Sequence, residues 1–386
     1  MADWTDRKRY LWLLGTVVPI LPLAGWGLVN ATGLAAFWWF GAMFVYLLMP
    51  TIDLLLGTDA ENPPTEALAW LEQDRYYRWC IYAFLPLQYA SFGWACWIWT
   101  RGGMAGIDKV GLMVTMGMVS GIGINTAHEL GHKKEQYERW FAKLALAPVA
   151  YGHFFIEHNR GHHVRVATPE DPASSKLGQS FWHFLPRTMA GSLRSGWALE
   201  ARRLRRLERS TFSLRNDIIN AWLMTVALFG VLVAGFGISI LPYLIGQALI
   251  GISLLEAINY VEHYGLLRQR EPSGRYERVR PAHSWNSNNI ATNVFLYHLQ
   301  RHSDHHANPT RRYQALRHTD EAPQMPTGYA GMLVLAYFPV LWRRFIDPLV
   351  VNHYQGDWSL ANLHPPAEQR LRGRFGEPRP IEQRVA

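Results

Sequence analysis

The sequence predicts an all-α integral membrane protein: six transmembrane helices carrying a histidine-rich, metal-binding cap on their cytoplasmic side. Three observations predict it. Apolar residues gather in six blocks, each near the ~20 residues that span a hydrocarbon core. Lysine and arginine are shared unequally between the gaps. Nine of the sixteen histidines fall in four short segments, and none of the sixteen precedes residue 128.

The blocks run over about 11–29, 34–56, 79–100, 107–127, 218–240 and 242–262. Arg7, Lys8 and Arg9 precede the first, a start that a signal peptide would share. A second apolar block only a few residues later favours an uncleaved helical hairpin. RGGMAG joins the third and fourth blocks, and Leu241-Pro242 is the expected hinge between the fifth and sixth. Mean hydropathy is only −0.08, because the polar remainder averages the blocks away. Cys80 and Cys96 lie sixteen residues apart in the third block. On a helix that is roughly 24 Å, so they cannot pair with each other. With no C-x-x-C in the chain, both read as buried packing residues.

The gaps after the first and fifth blocks carry no basic residue, and RGGMAG carries one, with Lys109 just beyond. The other side holds Arg7–Arg9, Arg75, Arg78 and the long segments 128–217 and 263–386. Both termini and every histidine cluster are therefore expected in the cytoplasm. The chain reads as a single membrane domain over 1–386, without internal repeats or a separate soluble domain. Its tail, 365–386, is rich in Arg, Glu and Pro and expected to be poorly ordered. FAKLALAPVAYGHFF (141–155) and GYAGMLVLAYFPVLW (328–342) are apolar but too short to span, and read as interfacial or partly re-entrant pieces.

LQRHSDHHANPTRRYQAL (299–316) places His302, His305 and His306 within five positions. NTAHELGHKK supplies His128 and His132, EHNRGHHVRVATPEDPASS supplies His158, His162 and His163, and NYVEHYGL supplies His263. An i, i+4 spacing puts two imidazoles on one helix face. One zinc takes about four ligands, so eight or nine imidazoles suit two ions. Imidazole accepts zinc, copper, iron and nickel alike. The H-E-x-x-H pattern has a rival reading as a zinc protease with Glu129 as general base, but that leaves six of these histidines unused. A metal transporter would want ligands along a path through the spans, whereas these gather at one membrane face. His298, one turn before His302, could support a ligand from behind; His153, His183, His283 and His318 read as surface or structural.

Glu256 and Asn259 lie inside the sixth block at i−7 and i−4 from His263. An ionisable group within a span is costly unless paired or facing a polar cavity. Hydrogen bonding to the metal ligands is the expected role, shared with Asn125, Glu129 and Asp304. Gly111, Gly117, Ser120, Gly121 and Gly123 in the fourth block suggest close helix packing, or room for a substrate. Arg202, Arg203, Arg205 and Arg206, interleaved with Leu204 and Leu207, suggest a helix lying on anionic headgroups, or a docking face for an acidic partner.

HELGHK, EHNRGHHVRVATPEDPASS, NYVEHYG and LQRHSDHHANPTRRYQAL resemble the four boxes of the integral-membrane alkane 1-monooxygenases, a branch of the membrane fatty-acid desaturases and hydroxylases. The histidine spacing alone implies the wider group. The ATPEDPASS tail and the NYVEHYG box point to the alkane branch, and with the six blocks the likeness covers nearly the whole chain. It implies a non-heme di-iron centre of two iron ions held by the nine histidines, with O₂ as cosubstrate. It implies insertion of one oxygen atom into the terminal methyl C–H bond of medium-chain n-alkanes, giving 1-alkanols, in a bacterial inner membrane. The electrons would come from rubredoxin, served by an NAD(P)H-dependent reductase. The missing C-x-x-C pairs make rubredoxin a separate chain, and no nucleic-acid partner is expected. Zinc cannot change oxidation state, which agrees with iron. Rivals within the group are a xylene-type methyl hydroxylase and a lipid desaturase or hydroxylase. An alkane offers nothing to hydrogen-bond and is already buried in the bilayer. Selection must then rest on the shape of a tunnel, with wall residues expected on the second and fourth spans.

Overall fold

The computed structural model describes residues 4–378. The regular structure of the described residues is helical, with isolated bridges but no strand. Among the described residues, five helices are long and apolar enough to cross a membrane. The first two are α1 (Arg9–Thr32) and α2 (Ala35–Leu56), joined at Gly33, whose φ of 72° closes the end of α1. The region expected as the span 79–100 divides in two. A short helix, Arg75–Tyr82, is capped by the Asp74 side chain, and α3 (Phe84–Thr100) follows after Ala83. Pro86 is the physical reason: it has no N–H to offer the Tyr82 carbonyl four residues back.

The central pillar is α4 (Gly106–Gly131), nearly every residue of which is buried from Gly111 onward. It continues beyond the expected end at 127, so His128 stands on its last turn. After it come α5 (Gln136–Leu146) and the long amphipathic α6 (Phe181–Arg206). Then α7 (Asp217–Phe236) and α8 (Ile238–Glu262) form a second hairpin. Its turn is at Gly237, with φ 85°, and not at Leu241-Pro242. Pro242 is the second residue of the α-helical part of α8, Leu241–Glu262, which follows a 3-10 turn at Ile238–Ile240, and there a missing N–H costs nothing. On α7, Leu223, Val226 and Val231 point outward and exposed, the face of a helix meant for lipid.

α4 and α8 meet backbone to backbone. A Cβ on Gly121 would lie 2.9 Å from the Gly251 carbonyl oxygen, so only hydrogen fits there. The piece 141–155 turns inward through Ala147–Val149, and Val149 packs against Gly251 from the other side. The piece 328–342 forms the helices Tyr329–Ala336 and Pro339–Phe345. The tail departs from expectation. Residues 365–378 are ordered, with a helix at Glu368–Phe375, because Ala367 and Leu371 bury against the main core. Arg370 also donates to the Gly178 carbonyl, and Arg374 to those of Arg343 and Arg344. The rest of the tail, 379–386, lies outside the described residues.

Candidate metal centre

Four pieces of chain deliver the nine histidines. His128 and His132 close α4, and His263 follows the last residue of α8. His302, His305 and His306 stand on the short helix α9 (His302–Ala307). The fourth piece, His158–His162, is wound as a π turn leading into His163. A π turn closes i to i+5, a local widening of the helix met often at functional sites. It brings His163 back beside His158, with their Nε2 atoms 3.1 Å apart.

The result is two groups. His128, His132, His158, His163 and His305 form the first, and His162, His263, His302 and His306 the second; within each, the candidate ligand atoms lie within 4.8 Å of one another. In the first, His128 Nε2 is 2.8 Å from His305 Nε2, which is 3.1 Å from His163 Nε2. In the second, His302 Nε2 is 3.1 Å from His263 Nε2 and 2.9 Å from His306 Nε2. Such spacings, roughly 3 Å, are those between neighbouring ligands on one ion with metal–nitrogen bonds of about 2.1 Å.

The side chains also suit a metal electrostatically. Burial, followed by repulsion from neighbouring imidazoles, pushes His132, His158, His163, His302, His305 and His306 well below 6.5. They are neutral, which is the form that binds metal. His132 Nε2 and His162 Nε2 are buried with no hydrogen-bond partner. A buried nitrogen lone pair aimed at other lone pairs is costly unless a cation lies between them. The residues fit two ions.

Asp171, inside ATPEDPASS, stands at the candidate site and was not singled out by sequence reasoning. Its carboxylate receives His162 Nδ1–H at 2.9 Å, which leaves Nε2 for the metal side. Burial alone would raise the Asp171 pKa, but the His162 imidazole and the Ser174 hydroxyl hold it below the ordinary carboxylate value. The signal was an acidic pair, Glu170-Asp171, whose second member lies nine residues after His162. His263 is fixed in the same way by the His283 carbonyl, 3.0 Å from Nδ1. Glu262 was missed too. It is buried beside the second group, with Oε2 3.3 Å from His302 Nε2.

The residues expected to brace the ligands have other partners. Glu256 accepts hydrogen bonds from Tyr151, Thr188 and Asn259, tying three elements together without touching a ligand. Glu129 pairs with Lys133 at 2.8 Å and accepts the Tyr313 N–H, so it faces the 311–313 backbone and not the imidazoles. Asp304 takes both Arg311 contacts at 2.6 Å and the Arg317 N–H, closing the loop after α9. His298 bonds the Tyr313 carbonyl and packs on Trp12. Glu129, Asp304 and His298 thus bond backbone groups of the segment after α9, and Glu256 bonds side chains of its neighbours.

A narrow apolar cavity of about 50 Å³ ends on His128, His158 and His302, members of both groups. Val45 and Met49 of α2 and Gly121, Ile122 and Asn125 of α4 line it, as do Leu254, Ile258 and Asn259 of α8. The second and fourth spans were expected to supply the wall; α8 and Leu333 were not. Asn125 is held by the Leu296 carbonyl at 2.7 Å.

Two buried polyhistidine groups beside long apolar helices, among described residues without a strand, fit a metal-binding membrane protein. The sequence pattern of the fatty acid desaturase family matches residues 109–336. The alkane 1-monooxygenase of Acinetobacter baylyi is 46% identical over 96% of this chain and 92% of its own length. An alkane 1-monooxygenase of Alcanivorax borkumensis is 45% identical over 97% and 92%. The hydroxylase component of a xylene/toluene monooxygenase of Pseudomonas putida is 26% identical over 89% and 90%. The chain belongs to the alkane 1-monooxygenases of the fatty acid desaturase family.

Proposed function

We propose that this enzyme inserts one oxygen atom from O₂ into the terminal methyl C–H bond of medium-chain n-alkanes, giving 1-alkanols. The observation that carries the reading is the apolar cavity ending between the two histidine groups. The ligands in this proposal are His128, His132, His158, His163 and His305 for one iron, and His162, His263, His302 and His306 for the other. Two bound iron ions would supply the redox chemistry of O₂ activation, which imidazole alone cannot. The protein's part is positional. The walls from α2, α4 and α8 exclude water and admit an unbranched chain end-first, so the leading methyl meets the centre. Asn125, Asn259 and Glu262 give the cavity polar character only at its histidine end.

Six spans are part of the same proposal, with Arg75–Tyr82 and α3 together serving as the third. The chain is then one membrane domain with both termini and the cap, 128–217 and 263–364, on the cytoplasmic side of a bacterial inner membrane. The arginine and lysine distribution supports this orientation. Rubredoxin, reduced by its NAD(P)H-dependent reductase, would bring electrons to that side.

Metal analysis combined with oxidation of octane tests the reading. The expected result is about two irons per chain and 1-octanol as product, with turnover abolished by His→Ala at any of the eight positions in the three clusters. His263 is included as a ligand on its geometry. One zinc and no iron would return the protein to a hydrolytic reading, with Glu129 as its base.

A further inference from the structure

A second cavity, of about 730 Å³, opens on the surface away from the histidines, between the Arg75–Tyr82 helix with α3 on one side and α5 on the other. Its volume falls in the about 300–1,000 Å³ range of built ligand sites. The two sides run in the same direction. Tyr82 packs on Tyr137 and Phe141 near one end, and the Tyr89 hydroxyl donates to the Leu144 carbonyl near the other. From Arg75 to Tyr89 a helix rises roughly 21 Å. One leaflet of a bilayer core is about 15 Å deep, half of the ~30 Å hydrocarbon thickness, so the groove has the length of a headgroup and an acyl chain.

Its chemistry is divided along that length. The far end is apolar, floored by Leu85, Pro86, Phe141 and Leu144. The near end carries Trp79, which is 66% exposed, and two guanidinium groups. Arg75 is exposed and makes no ion pair or hydrogen bond among the described residues. Arg78 donates to the Glu72 carbonyl at 3.3 Å and lies 3.9 Å from Glu135, and its Nε is buried without a partner. Unspent guanidinium donors above an aromatic-rimmed apolar trough match an anionic headgroup on an acyl chain.

We propose that this groove seats one anionic phospholipid, its phosphate on Arg75 and Arg78 and one acyl chain along α3 and α5. The seat touches the metal region through α5. Glu138 on α5 receives both Arg312 contacts, at 3.0 and 3.1 Å, and Arg312 belongs to the segment that follows α9. A lipid holding α5 against α3 therefore steadies the anchor of that segment.

The test uses the full chain, delipidated in a maltoside detergent, with melting temperature read against added phosphatidylglycerol, phosphatidylcholine, a neutral glycolipid or inorganic phosphate. Phosphatidylglycerol is expected to give a saturable rise, phosphatidylcholine a weaker one, and the glycolipid and inorganic phosphate none. The double variant Arg75→Gln/Arg78→Gln should raise the half-saturating phosphatidylglycerol concentration by about thirtyfold, the loss expected for two arginines at a membrane surface. Arg101→Gln, at the opposite end of α3, should leave it unchanged. Leu144→Trp, which fills the trough and keeps both arginines, should also weaken binding, and it decides the matter if the double variant does not fold. An equal rise with the glycolipid, or undiminished phosphatidylglycerol binding in both groove variants, would overturn the proposal.

Discussion

The carboxylate of Asp171 receives the Nδ1–H of His162 at 2.9 Å, and the Ser174 hydroxyl donates to the same oxygen at 2.6 Å. This pair fixes the tautomer and the ring plane of a histidine in the second group. Asp171→Asn should therefore weaken metal binding there by roughly 10–100-fold, the usual cost of losing such a partner. Competition with a chelator reads it directly. Equal iron retention in the variant and the parent would show that the ring is held by packing alone.

The cavity wall makes a prediction about substrate length. Ile122 on α4 and Leu254 on α8 line the cavity six and eight residues before His128 and Glu262, its histidine end. Ile122→Ala should extend the usable chain length while the product stays a 1-alcohol. The product mixture from a mid-length alkane checks it. Mostly 2- and 3-alcohols would mean a wide, open cavity and move the assignment toward aromatic-methyl hydroxylases.

Glycines at two places should behave in opposite ways. At Gly121 a methyl group would press on the Gly251 carbonyl and on Leu254 Cδ2, both at 2.9 Å, so Gly121→Ala should cost about 1–3 kcal/mol. At Gly230, within α7, nothing lies within 4 Å, and Gly230→Ala should gain roughly 0.5–1 kcal/mol. Melting temperatures of the two variants should shift in opposite directions; a fall in both would remove the packing argument.

Acid should loosen the metal-free protein. His158, His163, His302, His305 and His306 are held below their ordinary 6.5 by burial, and in all five neighbouring imidazoles are the next cause. The unfolded chain then takes up protons that the folded one refuses. Their neutral burial leaves stability intact above about 6.5 and erodes it as pH falls, by up to about 1.4 kcal/mol per pH unit for each such group. The apo-protein's melting temperature should drop between pH 7.5 and 5.5, and less steeply in His305→Leu. A flat profile over that interval contradicts the neutral-cluster picture.

The electron donor should feel the chain's formal charge of +8. If a small acidic carrier docks on the basic side, turnover at subsaturating rubredoxin should fall as salt rises, because exposed charges are screened beyond roughly 8 Å at physiological ionic strength. On α6, the Arg203 side chain is already tied to Glu200, while the side chains of Arg202, Arg205 and Arg206 make no hydrogen bond or ion pair with a described residue. A rate unchanged by salt would assign those arginines to lipid headgroups.

Much of this architecture was legible because apolar blocks and histidine spacing are local signals. The nine imidazoles announce themselves in four words of sequence, and α1, α2, α4, α7 and α8 in runs of apolar residues. Their partition was not legible. An α-helical reading of His158, His162 and His163 pairs the first two, whereas the π turn pairs His158 with His163, and nothing in EHNRGHH signals that turn. Glu256 and Asp304 misled because a polar residue near a ligand has many candidate partners, and Tyr151 and Arg311 are distant or unremarked in sequence. The tail misled through composition. Two residues, Ala367 and Leu371, suffice to dock a stretch that is otherwise charged.

The two histidine groups are interlaced along the chain. The His158–His163 turn sends His162 to one group and its neighbours to the other, and α9 divides His305 from His302 and His306 in the same manner. Neither half can be ordered while the other is slack, since each turn is common to both. Filling one half should prepare the other, so that metal loading is cooperative and the half-filled protein is scarce at equilibrium. A titration with ferrous iron would then pass from empty to full with little of the singly loaded form between.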